Sequence, residues 1–440
     1  MDEKKYLFNL ISELKDPEDI KIIEKYQEKQ QKLGAWVEGI FPDQFVDEKI
    51  TVPDTISNKN KCVSELIEQK KKNIEAIKAM GEYNLEFKND KFDLVEDYKD
   101  YPKKWNLKID LDVLASTLNF LEKKELNEDK ALEIANLEGN QEMLKHRKNL
   151  GYLPEPITDT KDLSKLLIWA ASEKPEDIIW KWLNPFNIFE FADIYNNLDK
   201  FKKLYNTINE NQNKITSNIL AELSDYIKND LIFNETFSLT TGYAIRGWAT
   251  DNRFGINIEN IKDDYKRLTA TISHELFHRL QTKICTTIGQ EQSFSAITSG
   301  DFKNEKDNKF YEVLAYIMLE GSGEYITHQF VENKEENLEK KAVEGLELLN
   351  ETYETIYNKG EIDKVDELLN KGLKSNGVFY SLGEYLSKLL IEKEGKSYLG
   401  EILEKGVGSF FVEGLKSVEK KEFEEMLSII LEQGVIDYQN

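Results

Sequence analysis

One stretch limits what this chain can fold into more than any other: the eleven residues Thr271 to Gln281, TISHELFHRLQ. It contains His274, Glu275 and His278 in an HExxH arrangement. Residues four apart lie on one face of an α-helix, so on a helix both imidazoles can reach a single cation with Glu275 beside them. In a strand or a loop the three groups would scatter. The other face carries Ile272, Leu276, Leu280 and Ile284, an apolar stripe that gives the helix something to bury and holds the histidines still. The stretch therefore predicts an amphipathic helix with a metal site and a carboxylate base on its polar side.

The rest of the chain is read around that helix. Eight prolines in 440 residues favour long helices over short strands and turns, and 40% apolar with 32% charged residues is an ordinary globular balance tilted towards charge. The formal net charge of −23, from 82 acidic and 59 basic side chains, repels nucleic acid and anionic membranes and leaves a neutral or basic substrate as the better partner. Two cysteines, Cys62 and Cys285, cannot build a disulfide framework and sit in no CxxC spacing, which suits a reducing compartment. The N-terminus alternates charge with apolar residues and has no signal-like apolar run, and no stretch approaches the roughly 18 apolar residues of a membrane span. The expectation is a cytoplasmic chain of unknown oligomeric state, with no nucleic-acid and no membrane partner.

In order along the chain, residues 1–155 read as a helical N-terminal region, which includes a long helix from Cys62 to Met80 and helices over Leu111 to Leu126 and Glu128 to Leu150, the latter interrupted near Gly139. Pro154 and Pro156 mark a soft boundary. Residues 156–232 form a helical, aromatic-rich segment with Trp169, Trp180, Trp182, Phe186, Phe189 and Phe191, read mainly as core packing. Residues 233–440 form the region that carries the motif. Within it, residues 233–260 alternate at Thr236 to Thr240, Tyr243 to Thr250 and Gly255 to Ile258, which predicts three short strands in a small sheet whose edge would suit an extended peptide. The motif helix follows over 263–284, a helix over 310–331 comes next, and further helices run to the C-terminus. The fold class expected is mainly α with a small β-sheet (α+β).

Two histidines leave a catalytic metal short of the usual three protein ligands. A continuation HExxHxxGxxH would supply a third histidine, but Gln281 stands at the glycine position and Ile284 at the histidine position, which excludes it. Further on, Glu320-Gly321-Ser322-Gly323-Glu324-Tyr325 resembles the EGxAxY pattern of gluzincin peptidases, with Gly323 in place of the alanine. That resemblance, limited to about residues 270–395, implies a zincin-like catalytic domain in which zinc is held by His274, His278 and Glu320, with Tyr325 as a packing residue. Glu312 and His328 stay open as rival ligands. Glu324, one helical turn beyond Glu320, is placed to accept the second N–H of a ligating histidine. Tyr380-Ser381-Leu382-Gly383 resembles the YxxG segment of the same group, which implies Tyr380, with Tyr385 as the alternative, as donor to a forming oxyanion. The expected function is a zinc metallopeptidase, an endopeptidase or oligopeptidase acting on peptides or unfolded protein with Glu275 as general base. A zinc-containing scaffold protein and a zinc hydrolase of a non-peptide amide or ester are the alternatives.

Overall fold

The computed structural model describes residues 87, 100–124, 126–149, 159–171, 194–195, 197–227, 231–241, 247–250, 253–285, 297–298, 302, 304–331, 337–373 and 377–433. The expected helix over Cys62 to Met80, most of the aromatic-rich segment, and Cys62 lie outside the described residues. The protein is mainly helical with one small sheet, as its composition and periodicity predict.

The described residues fall into two compact units that interleave along the chain. One takes in Ile109–Gln212 and Thr236–Tyr265; the other takes in Phe92–Lys108, Asn213–Glu235 and Lys266–Asn440. Strand β1 (Trp105–Asp110) opens the described chain, followed by α1 (Asp112–Glu122), α2 (Glu128–Ala135), α3 (Glu138–Asn149), α4 (Thr160–Ala171) and the long α5 (Leu198–Leu223). Then come β2 (Phe233–Thr240), β3 (Gly247–Ala249) and β4 (Phe254–Asn257). Asn127 caps α2 by accepting from the Lys130 amide at 3.1 Å, and the expected interruption near Gly139 is the break between α2 and α3.

The sheet order is β1-β2-β4-β3, with β4 parallel to β2 and antiparallel to β3. Sequence alternation finds β2, β3 and β4 but not this order: β4 inserts between the other two. It also misses β1 (WNLKID), whose outward lysine and asparagine alternate with buried Trp105, Leu107 and Ile109. In the first unit, buried Arg253 ties strand to helix by bonding Asp110, Ser238 and Glu138. Trp248, Thr240 and Asn257 form a second buried polar link, Trp248 Nε1 donating to Thr240 Oγ1 at 3.0 Å and Thr240 to Asn257 at 2.8 Å. β3 lies at the sheet edge, where His146 of α3 donates from Nδ1 to the Ala249 carbonyl at 2.7 Å, so part of that edge is already taken.

The second unit holds α6 (Tyr265–Ile284), α7 (Glu305–Thr327), α8 (Leu338–Tyr353), α9 (Val365–Leu373), α10 (Val378–Glu394), α11 (Lys396–Glu404), α12 (Val407–Lys416) and α13 (Lys421–Gln433), with a π-turn at Glu354–Asn358 after α8. Helix α10 is its axis, packed against α7 and α8 and touched by α9, α11 and α12. Phe379, Leu382, Leu386 and Leu390 bury one stripe of it. Glycines set how closely the neighbours approach: a Cβ on Gly321 would fall 2.3 Å from Gly383 Cα, and one on Gly383 would fall 2.1 Å from the Ile317 carbonyl oxygen. Backbone meets backbone at that crossing. Gly395 and Gly406, at φ 92 and 90, turn the chain into α11 and α12, a conformation that costs other residues energy.

Candidate metal centre

Helix α6 forms because the stripe expected of it is real. Ile272, Leu276 and Leu280 are buried, Ile284 at the helix end is half-buried, and Phe277 joins the stripe against Tyr226 at a ring-centroid distance of 5.9 Å. On its outer side Arg279 and Lys283 both reach the buried carboxylate of Glu235, at 3.0 and 3.2 Å, which neutralises that charge and fixes the helix against the start of β2. His274, Glu275 and His278 occupy the remaining face, each half-buried.

Helix α7 brings Glu320 to the same place. The Nε2 atoms of His274 and His278 are 3.0 Å apart, and Glu320 Oε2 is 3.6 Å from each. The two rings stand edge to face with centroids 4.6 Å apart. Among the described residues, these three form the group whose donor atoms could hold a metal, all within 4.8 Å of one another. The rival ligands are placed elsewhere: Glu312 is paired with Lys309 at 2.7 Å, and His328 lies between Glu384, 2.5 Å from Nδ1, and Glu324, 3.4 Å from Nε2.

The far nitrogens of both histidines have partners, and not the one expected. Glu324 is 4.0 Å from His274 Nδ1, beyond hydrogen-bond range. Thr327 takes that position at 3.0 Å; its hydroxyl hydrogen goes to the Gly323 carbonyl, so its oxygen accepts from the imidazole. His278 Nδ1 meets Gln281 Oε1 at 2.7 Å. Both rings thus donate from Nδ1 and turn Nε2 inward, the atom left to take a cation or a second proton. Sequence reading overlooks Thr327 and Gln281 because a hydroxyl and an amide next to a histidine are common and carry no motif. The two glycines of the Glu320 stretch do different work. Gly323 faces the motif helix, where a Cβ would lie 2.9 Å from His274 Cε1, whereas Gly321 serves the crossing with α10.

Tyr380 lies beside the Glu320 carboxylate of the cluster, while Tyr385 lies beside Glu339 and packs on Phe423. Tyr325 lies near Glu222 and Gln329. Electrostatics follow from this crowding. Burial alone lowers the pKa of His274, but the carboxylates of Glu320, Glu275 and Glu324 outweigh it and push it up to about 9. For Glu320 burial works the other way, and the two histidines overcome it to hold the carboxyl well below the usual range. Burial raises Glu275 against the pull of His274 and His278. Burial, then the charge of Glu320, keep the Tyr380 hydroxyl protonated far above its ordinary range.

Residues 132–420 match the model of a protein family described as "Putative zinc dependent peptidase (DUF5700)". The chain belongs to this family. No curated protein and no solved structure matches it. The matched region includes α6, α7 and α10, and with them every residue of the cluster. Zinc is the cofactor of this zinc peptidase family, and the donor set suits it: two imidazole Nε2 atoms face each other with a carboxylate alongside, an arrangement that calls for a cation or a proton between them. Among the described residues no helix is long and apolar enough to cross a membrane.

Proposed function

We propose that this protein is a gluzincin-type peptidase that hydrolyses internal bonds of peptides or unfolded chains, with His274, His278 and Glu320 holding the zinc. The observation that carries this reading is the convergence of His274 Nε2, His278 Nε2 and the Glu320 carboxylate beside Glu275, the carboxylate that the motif helix places next to them. When bound, zinc supplies a Lewis acid that polarises the scissile carbonyl and makes an attacking water acidic. Glu275 is the proton carrier. Its carboxylate accepts a proton from the attacking water and returns it to the leaving nitrogen, and the burial that raises its pKa brings its basicity closer to that task. Tyr380, kept neutral by burial and by Glu320, has a hydroxyl hydrogen to offer an oxyanion. Gly255-Ile256-Asn257-Ile258-Glu259-Asn260 departs from the GxMEN segment with which gluzincin aminopeptidases hold a free amino terminus, which supports internal cleavage over removal of terminal residues.

The test is Glu275→Gln assayed on a diverse peptide library with zinc content measured in parallel. The variant keeps one zinc per chain and loses cleavage by about 10²-fold to 10⁴-fold. Cleavage equal to that of the parent would sink the assignment.

A further inference from the structure

Gln281 is completely buried, and its amide is fully engaged. Its Nε2 donates to the Leu319 carbonyl at 3.1 Å and to Ser322 Oγ at 2.6 Å. A carbonyl only accepts, and the Ser322 hydroxyl hydrogen is committed to the Met318 carbonyl at 2.6 Å, so both contacts require the nitrogen on that side. The oxygen is therefore the atom 2.7 Å from His278 Nδ1, which makes Nδ1 a donor and leaves Nε2 with the lone pair. Leu319 and Ser322 bracket Glu320. One side chain of α6 thus fixes the ring of one histidine and grips α7 on both sides of the carboxylate that faces that ring, through the Leu319 carbonyl and the Ser322 hydroxyl.

We infer that Gln281 is a positioning residue, which couples the orientation of His278 to the register of the helix that carries Glu320, so that docking α6 on α7 and assembling the metal site are one event. The inference rests on the zinc-ligand reading above. Its position suits the task, because a residue three beyond His278 lies beside it on the helix and reaches back over the ring. An amide is the only uncharged side chain of this length that both donates twice and accepts, so no apolar isostere can repeat the arrangement.

The test uses the full chain stripped of metal and titrated with zinc against a chelator of known affinity, with the cobalt(II)-substituted absorption spectrum and the thermal unfolding of the stripped protein recorded for each variant. Gln281→Met keeps the volume and removes the bonds. It is expected to weaken zinc binding by about 10-fold to 100-fold and to change the cobalt spectrum. Ser322→Ala removes one anchor of the amide and is expected to weaken binding by about fivefold. Zinc affinity and cobalt spectrum unchanged in Gln281→Met, with only the stripped protein's unfolding midpoint lowered, would overturn the inference in favour of plain packing. If Gln281→Met does not fold, unchanged affinity and spectrum in Ser322→Ala overturn it. A parent that binds no zinc, or His278→Ala that binds it as tightly as the parent, overturns the ligand reading itself.

Discussion

Tyr380 and Tyr385 sit five residues apart on α10, the first the sequence's candidate oxyanion donor and the second its alternative, and it is Tyr380 that lies beside the cluster. Tyr380 lies beside the Glu320 carboxylate, whereas Tyr385 lies beside the surface pair Glu339 and Lys420. Tyr380→Phe is expected to lower kcat by about 10²-fold to 10³-fold with zinc retained, and Tyr385→Phe to leave kcat unchanged; equal effects in a steady-state assay would remove Tyr380 from the reaction. Protonation gives a second prediction at this scale. In the zinc-stripped protein the neighbouring carboxylates raise His274 from 6.5 to about 9, so the stability this proton contributes is complete below pH 6.5 and lost as pH rises through about 9. Zinc must displace the same proton. Its apparent affinity is therefore expected to rise with pH across that window, measured as Kd in parallel with unfolding of the stripped protein; an affinity that falls from pH 6.5 to 9 would contradict the tautomers and charges described for the site.

At the scale of elements, α10 decides whether α7 can present Glu320 at all. The crossing at Gly321 and Gly383 leaves no room for a methyl group, because the atoms it would meet are backbone. Gly383→Ala is expected to cost about 1 to 3 kcal/mol through separation of the helices, despite the higher helix propensity of alanine, and to weaken zinc binding as α7 shifts. Denaturant unfolding of the zinc-loaded and stripped protein checks this, and a stabilised variant would show that the crossing is not tight. Most helices are legible from periodicity: the motif helix, expected over 263–284, runs over Tyr265–Ile284. α12 escapes notice because its apolar residues, VGSFFVEGLK, form a short run between Gly406 and a polar turn, without the longer period that marks a helix. β1 escapes because six residues with two exposed polar side chains give too short an alternation next to the helical pattern that follows.

For the whole molecule, the two units mean that unfolding need not be one transition, and zinc binding should act on the unit that contains α6, α7 and α10. Zinc at about 100 times its Kd adds about 2.7 kcal/mol to that unit's stability, so a chelator is expected to lower one unfolding midpoint in calorimetry; no shift would mean the site adds nothing to the fold. The net charge of −23 acts at this scale too, as a field that disfavours anionic partners. By itself the sequence determined what depends on neighbours along the chain: the helical class, the motif helix with its buried stripe and three reactive side chains, and Glu320 in its EGxGEY setting. Periodicity and spacing are local properties, and a helix expresses them wherever it lies. The tertiary structure decided what depends on two elements meeting. It set β4 between β2 and β3, gave His274 the hydroxyl of Thr327 in place of Glu324, laid Tyr380 beside Glu320 and Tyr385 beside Glu339, and turned the amide of Gln281 on His278. Those outcomes are fixed by which backbone groups remain to be satisfied when helices pack, and no stretch of residues carries that information alone.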